Sequence, residues 1–355
     1  MRLSRQSGFS LIEILVGVAI GLIGMVVVFQ SLQIWESRKR TTASGSDAQV
    51  SGTVALFNIE RDLRQGGYGF GNSTYMGCTV NAYDTTRGAA FTFPLVPVYI
   101  VDGGATGPDE IRSLHGNSAY FTSSETFDTS TSTSKRPHLG INSFRVNDLV
   151  VVAGNAFPSG NCSMVEVDSV GAQDITHSGG LRYNNPAGTG TTFSSGNLYN
   201  LGPGPQRIIW QVRSGNVLSW RDDISDATGT AWNDVAEGIV DLQAEYGIDT
   251  NGDSMIASTE WTSTAPSTAN WKNVRAIRIG ILARSQQYEQ TPPAGVTQSV
   301  PTWSGSTSSP FVVKNLDGTA GTTTPANPVD SWKHYRYRVY EQVIPLRNVI
   351  WGYAP

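Results

Sequence analysis

The longest apolar run of the chain comes near its start. Residues 9–29 contain one ionisable side chain, Glu13, and follow a short basic stretch, Met1-Arg2-Leu3-Ser4-Arg5-Gln6-Ser7-Gly8. A helix of that length covers the hydrocarbon core of a bilayer. Residues 36–65 keep a helical period. Val50, Val54 and Phe57 form one stripe, and Leu56, Ile59 and Leu63 form another. Gly66-Gly67 is the stop signal. The pattern predicts a helix over 9–65, about 85 Å long at the α-helical rise. Its second half is expected to pack an apolar stripe on the rest of the protein. Gly45 and Gly52 weaken its interior and are expected points of bending or melting.

After Tyr68 the pattern becomes strand-like. Residues 90–101 read as an edge strand interrupted by Pro94 and Pro97. Residues 144–152 read as a buried strand, 164–167 alternate, and 274–282 read as a strand with one charged face. Residues 207–213 and 217–221 flank Ser214-Gly215-Asn216 as a β-hairpin. Residues 235–248 could start as helix, but Leu242, Ala244, Tyr246 and Ile248 alternate like a strand. Residues 335–343 form the last strand. Polar loops fall at 118–135, 184–197 and 302–328, and Pro203-Gly204-Pro205 marks a break between two lobes. The expected fold class is α+β: a long N-terminal apolar helix packed on a large, mainly antiparallel β head. The expected division is a leader at 1–8, a helix at 9–65 that spans a membrane over 9–35, and a head at 66–355 with a lobe break near 201–206.

Composition supports a β-rich, loop-rich head. Only 15% of the 355 residues are charged, and there are 38 glycines and 17 prolines. The formal net charge is −4, and −6 without Arg2 and Arg5 of the leader, so electrostatics give no case for a specific nucleic-acid partner. A secretory signal would carry small residues after the apolar run. Here Ser31-Leu32-Gln33-Ile34-Trp35-Glu36-Ser37-Arg38-Lys39-Arg40 is bulky and basic. Basic residues on both flanks leave the orientation open on charge alone. Cys78 and Cys162 are expected to pair if the head lies outside the cytoplasm; the other reading is two buried thiols. Pairing would contribute roughly 4–5 kcal/mol in the chain-entropy model.

Catalysis has little support. His115, His138, His177 and His334 are scattered, and neither H-E-x-x-H nor G-x-S-x-G occurs. Two cysteines exclude a multi-cysteine zinc site. One constellation suggests a metal. Asp249, Asn251, Asp253, Met255 and Glu260 occupy positions 1, 3, 5, 7 and 12 of a calcium loop, with Ser254 where such loops carry glycine. The other reading is an Asx-rich turn. No cofactor is certain, and Ca2+ is the candidate.

The junction Gly8-Phe9-Ser10-Leu11-Ile12-Glu13 resembles the class III signal of type IV pilins and pseudopilins. The resemblance implies that a prepilin peptidase cuts after Gly8 and methylates the new N-terminal residue, Phe9. A carboxylate inside an apolar span costs roughly 2.5–3.5 kcal/mol on insertion scales. After cleavage Glu13 lies one helical turn from a free amine. Pairing with the amine of a neighbouring subunit offsets the cost and sets axial register, which is the role the resemblance implies for Glu13. Gly17, Gly21 and Gly24 add a spacing that lets helices approach closely; the other reading is the ordinary glycine content of a membrane helix.

Shorter segments are similar to the PilW group of minor pilins: Asp62-Leu63-Arg64-Gln65-Gly66-Gly67-Tyr68, Tyr246-Gly247-Ile248-Asp249, Trp271 with Val274-Arg275-Ala276-Ile277-Arg278, and Leu346-Arg347-Asn348. The resemblance implies a minor pilin that takes part in pilus biogenesis, priming or capping filaments near the tip, with no enzymatic role. A head this large crowds its neighbours in a filament, which favours low copy number. The implied partners are other minor and major pilins, the prepilin peptidase, the inner-membrane assembly machinery and a large tip adhesin. The implied location is the inner membrane, single-pass with the head in the periplasm, and then the pilus, in a setting of twitching motility or cell adhesion. The alternatives are a J-type minor pseudopilin of a type II secretion system and a membrane-tethered adhesin acting alone.

Overall fold

A computed structural model describes residues 8–71, 74–119, 124–128, 131–138, 140–155, 157, 162–188, 193–289, 299–315, 321 and 331–352. Leader residues 1–7 and parts of the three polar loops lie outside the described residues. The apolar run and its helical continuation form one helix, α1 (Leu11–Gln65). Its 55 residues span about 83 Å. Ser10 is its extended N-cap, and Gly66 leaves it in extended backbone. It passes through Gly45 and Gly52 without a break, so neither glycine melts it.

One of the two predicted stripes packs and the other does not. Ile59 and Leu63 are fully buried, together with Ala48, Ala55 and most of Asp62. Val50, Val54 and Phe57 face away, and Phe57 is 63% exposed. The cause is close approach. Small residues at 48, 52 and 55 let a strand lie against the helix, and the bulky stripe is turned outward.

Among the described residues three sheets form the head, and its mainly antiparallel character agrees with the expected α+β class. A four-stranded antiparallel sheet runs in the order Trp261–Thr262, Ile239–Ile248, Val274–Arg284, Tyr337–Pro345. A five-stranded antiparallel sheet has the order Asn233–Glu237, Val217–Asp222, Gln206–Arg213, Glu110–His115, Val98–Val101. These two sheets and α1 share one core, with Ile59, Leu63, Trp210, Tyr246, Ile277 and Ile344 inside it. The third sheet has nine strands and centres on Leu149–Gly154, Ser195–Gly202 and Cys162–Glu166. Within it, Thr79–Asp84 pairs in parallel with Cys162–Glu166.

Several element boundaries differ from the pattern. The expected edge strand at 90–101 is two strands, Ala89–Pro94 and Val98–Val101, on the edges of different sheets. Pro94 and Pro97 lack an N–H where the chain crosses between them. The strand expected at 144–152 starts only at Leu149, because Asn147 adopts a left-handed φ of 71°. Its apolar run is continuous because both faces are buried: Leu149, Val151 and Ala153 enter one core, Val150 and Val152 another. No helix starts at 235. Asn233–Glu237 and Ile239–Ile248 are separate strands, and Gly238 at φ 75° turns the chain between them. The hairpin Gln206–Arg213 with Val217–Asp222 forms as its pattern predicts. The last strand is shifted to Tyr337–Pro345 and is followed by a short helix, α2 (Arg347–Gly352). At residues 203–205 the chain passes from the nine-stranded sheet to the five-stranded one.

Cys78 and Cys162 are joined by a disulfide across a sequence separation of 84. Both are buried beside the parallel pairing. In the chain-entropy model, closing a loop of that size contributes about 4.5 kcal/mol.

Near the far edge of the nine-stranded sheet, Lys135 and His177 are buried together. Lys135 Nζ donates to Thr131 O (2.7 Å) and Ser134 O (3.1 Å) and lies 3.0 Å from His177 Nε2. Burial first, then the Lys135 charge, pushes the His177 imidazole down to about 4. Below pH 6.5 the unfolded imidazole takes up a proton that the folded one refuses, so stability falls as pH drops from 6.5 toward 4. We predict that His177 accounts for about 3 kcal/mol of the loss by pH 4. His177→Gln keeps an acceptor for Lys135 and removes that share. Denaturant melts of the full chain across this pH window check it: parallel pH profiles for the two proteins would refute the assignment.

Candidate functional site: the helix and its seat

The first half of α1 is bare. Leu11–Glu36 is long and apolar enough to cross a membrane, and its residues are exposed rather than buried against the head. Phe9 is 81% exposed. An apolar surface of this extent is stable in hydrocarbon or against other helices, not in water. Glu13 lies in the first turn, directly after the Gly8-Phe9 junction. Gly17, Gly21 and Gly24 have open space where a side chain would project, so another helix can come close there. Trp35 ends the span, with Lys39 Nζ 5.6 Å from its ring centroid. That is the arrangement of an aromatic anchor at a membrane–water interface.

The second half of α1 is fixed to the four-stranded sheet. The Tyr340 ring lies on Gly52 so closely that a Cβ there would sit 2.1 Å from a ring carbon. Tyr340 Oη donates to Gln49 O (3.0 Å). One turn before the helix ends, Asp62 Oδ2 accepts from Trp210 Nε1 (3.1 Å), and Ser113 Oγ donates to Asp62 O (3.0 Å). Burial pushes the Asp62 carboxyl above its usual range, against the opposing pull of Arg61, whose Nε lies 3.2 Å away. At the C-terminus Asn348 Nδ2 donates to Gln65 O (3.0 Å) and Gly66 O (3.1 Å). A side chain of α2 therefore satisfies carbonyls that a helix end leaves open.

Four short sequence motifs meet at this seat. The helix end at 62–68 is capped by Asn348 of Leu346-Arg347-Asn348. Leu346 N donates to Arg275 O (2.8 Å), in the 274–278 motif. Tyr246 packs edge-on to Trp271, with ring centroids 5.4 Å apart, and its hydroxyl accepts from Ile100 N (2.5 Å). Sequence reading missed Ala48, Gly52 and Ala55 as the contact stripe. Their helical spacing with Ile59 was present, but small residues carry a weak hydrophobic signal.

The candidate calcium residues are spread along one loop between the strands Ile239–Ile248 and Trp261–Thr262. Asp249 accepts from Gly252 N (2.7 Å) and Ser254 N (3.1 Å), with Arg275 Nε 3.8 Å away. Asn251 Nδ2 donates to Asp253 Oδ2 (2.9 Å), and Asp253 Oδ1 accepts from Met255 N (2.8 Å). Glu260 accepts from Thr250 N (2.8 Å) and Ala257 N (2.9 Å). Its hydrogen bonds, the Thr250 hydroxyl first, hold that carboxyl below the usual range. Among the described residues no group of three or more His, Cys, Asp or Glu is placed to hold a metal ion. The loop's own N–H groups occupy the carboxylates.

Residues 211–348 match the family model of type IV pilus-assembly protein W, and residues 3–29 match the prokaryotic N-terminal methylation motif. The chain is PilW-like. The first match contains every strand of the sheet that seats α1; the second contains Gly8, Phe9 and Glu13. No curated protein and no solved structure matches the chain.

The two stripes of α1 should respond in opposite ways to truncation. Ile59→Ala removes a fully buried side chain and should cost about 2–5 kcal/mol. Phe57→Ser, on the exposed stripe, should leave stability within about 0.5 kcal/mol. Urea titration of the full chain in detergent, followed by tryptophan fluorescence, measures both; equal losses would put Phe57 in a contact that the single chain does not make.

Proposed function

We propose that this PilW-like chain is a minor type IV pilin that primes or caps filament assembly through α1. The observation that carries the reading is the division of one helix into a bare half and a seated half. The bare half, Leu11–Glu36, carries an acid in its first turn, and none of the described residues of its own chain covers it. Val50, Val54 and Phe57 extend uncovered apolar surface into the seated half. Such a helix needs other helices or lipid along its length.

In this reading cleavage follows Gly8, Phe9 becomes the methylated N-terminus, and Glu13 pairs with the amine of an adjoining subunit. The leader is 1–8, the helix 9–65, and the head 66–355 has two lobes that part near 201–206. The head lies in the periplasm before assembly and on the pilus afterwards. Partners are other pilins, the prepilin peptidase, the assembly machinery and a tip adhesin. The role is structural rather than enzymatic.

Glu13→Val is the decisive substitution. It removes the charge cost of roughly 2.5–3.5 kcal/mol, so membrane insertion should be kept or improved. Filament initiation should be lost, as counted by pili per cell. Normal piliation in this variant, or a mature protein that still begins at Met1 by N-terminal sequencing, would remove the reading in favour of a tethered adhesin.

Calcium at the 249–260 loop is a separate proposal supported by ligand spacing alone. Extracellular calcium sites work at about 0.1–1 mM. If the loop is such a site, calcium in that range raises the melting temperature over an EDTA control, and Asp253→Ala abolishes the rise. Identical melting curves with and without calcium would leave the loop as a hydrogen-bonded turn.

A further inference from the structure

A groove of about 720 Å³ lies where the helix leaves the span and meets the head. Arg38 and Thr42 line it from α1, and Arg336, Arg338 and Glu289 line it from the head. Arg336 is held by Glu289 through two contacts, Nε–Oε1 at 2.6 Å and Nη2–Oε2 at 3.2 Å. Arg38 and Arg338 are exposed. Among the described residues, three guanidinium groups thus face one carboxylate, an excess of two positive charges on a protein that is acidic overall.

Its position decides what this charge meets. The span ends at Glu36, and Trp35 marks the interface. Arg38 follows two residues later, about 3 Å along the axis. Polar headgroups occupy about 5–8 Å on each side of the hydrocarbon core. Arg38 therefore lies within the headgroup layer, and the arginines of the head share its groove. The planar fork of a guanidinium matches a phosphate and binds it in bidentate fashion. The stretch Tyr337–Pro345 starts at this end of the helix, and Tyr340 closes on Gln49 and Gly52 further along. The seat itself brings the arginines to the membrane.

We propose that this groove binds the phosphate of an anionic phospholipid in the leaflet from which α1 emerges. The site rests on the membrane-anchored reading of Leu11–Glu36. Arg38 and Arg338 make the principal contacts, and Glu289 orients Arg336 beside them. The bound lipid holds the head against the bilayer, and extraction of the chain into a filament has to break that contact.

The test uses the full chain reconstituted in nanodiscs of phosphatidylcholine with or without phosphatidylglycerol. Native mass spectrometry of the released protein counts retained lipid. Wild type should keep phosphatidylglycerol selectively. Arg338→Gln should lower retention roughly fivefold, and Arg38→Gln with Arg338→Gln roughly thirtyfold, at the usual value of a basic residue near an anionic surface. Both positions are exposed, and circular dichroism with a melting curve verifies that the variants fold. Inorganic phosphate at millimolar concentration separates the two sources of the ligand. Retention that survives it supports a lipid site, and complete displacement overturns it in favour of free phosphate. Equal retention in wild type and double variant also overturns the proposal, as does unchanged retention with weakened association to other pilins, which would make the groove a protein contact. Failure of the wild-type chain to enter nanodiscs of either composition would instead defeat the membrane anchor on which the site rests.

Discussion

One helix has to satisfy two environments. Over Leu11–Glu36 its apolar side chains are exposed on every side, and from Ala48 onward one face is buried in the head. Neither half is stable on the other's terms. A bare apolar span in water is unfavourable by roughly 25 cal/mol for each Å² of apolar surface left exposed. A seated half without small residues could not come so close to the strand. The four- and five-stranded sheets hold the second half in a shared core, which leaves the first half for a membrane or a bundle.

The seat does this with few groups. Gly52 admits the Tyr340 ring, Asp62 takes the Trp210 N–H, and Asn348 closes the carbonyl end. Ile59 and Leu63 supply the apolar contact, about 1.5–3 kcal/mol each for full burial. Asp62 shows the cost of using a polar group here. Burial raises its carboxyl, and the indole and guanidinium offset part of that penalty. The five-stranded sheet is drawn into the seat through Trp210 and Ser113, which reach Asp62 from two neighbouring strands. The PilW match at residues 211–348 thus covers the four-stranded sheet on which the helix rests but neither Trp210 nor Ser113, and the nine-stranded sheet lies outside it.

The sequence showed most clearly what depends on a single dimension. An unbroken apolar run, one acid and a Gly–Phe junction need no knowledge of neighbours. Strands such as Val274–Arg284 were visible for the same reason, since a run of β-branched and apolar residues is buried wherever it goes. What failed depended on partners. Two stripes on α1 looked alike until the strand Tyr337–Pro345 chose the one with small residues. The prolines at 94 and 97 suggested one interrupted strand because nothing local says that the chain changes sheets there. The arginines of the groove were invisible as a group, since Arg38 and Arg338 are brought together only by the fold.

The two glycines in the second half of the helix, Gly45 and Gly52, have opposite surroundings. Gly52 is clamped beneath Tyr340, whereas Gly45 has nothing within 4 Å of where its side chain would project. A glycine in a helix interior costs about 1 kcal/mol relative to alanine, so both are weak points in isolation. Of the two, only Gly45 is free to act as one. It is the sole glycine between the end of the span at Glu36 and the buried contact at Ala48. Beyond the span, the weak point of α1 is therefore the stretch just before the seat, and the helix from Ala48 to Gln65 is packed on the head. The Glu13 end can tilt relative to the head about that stretch, while its distance along the helix, about 50 Å from the seat, is kept by the hydrogen-bonded rise. If Glu13 pairs with a neighbouring amine as proposed, the register set there reaches the head as a height and not as a fixed angle.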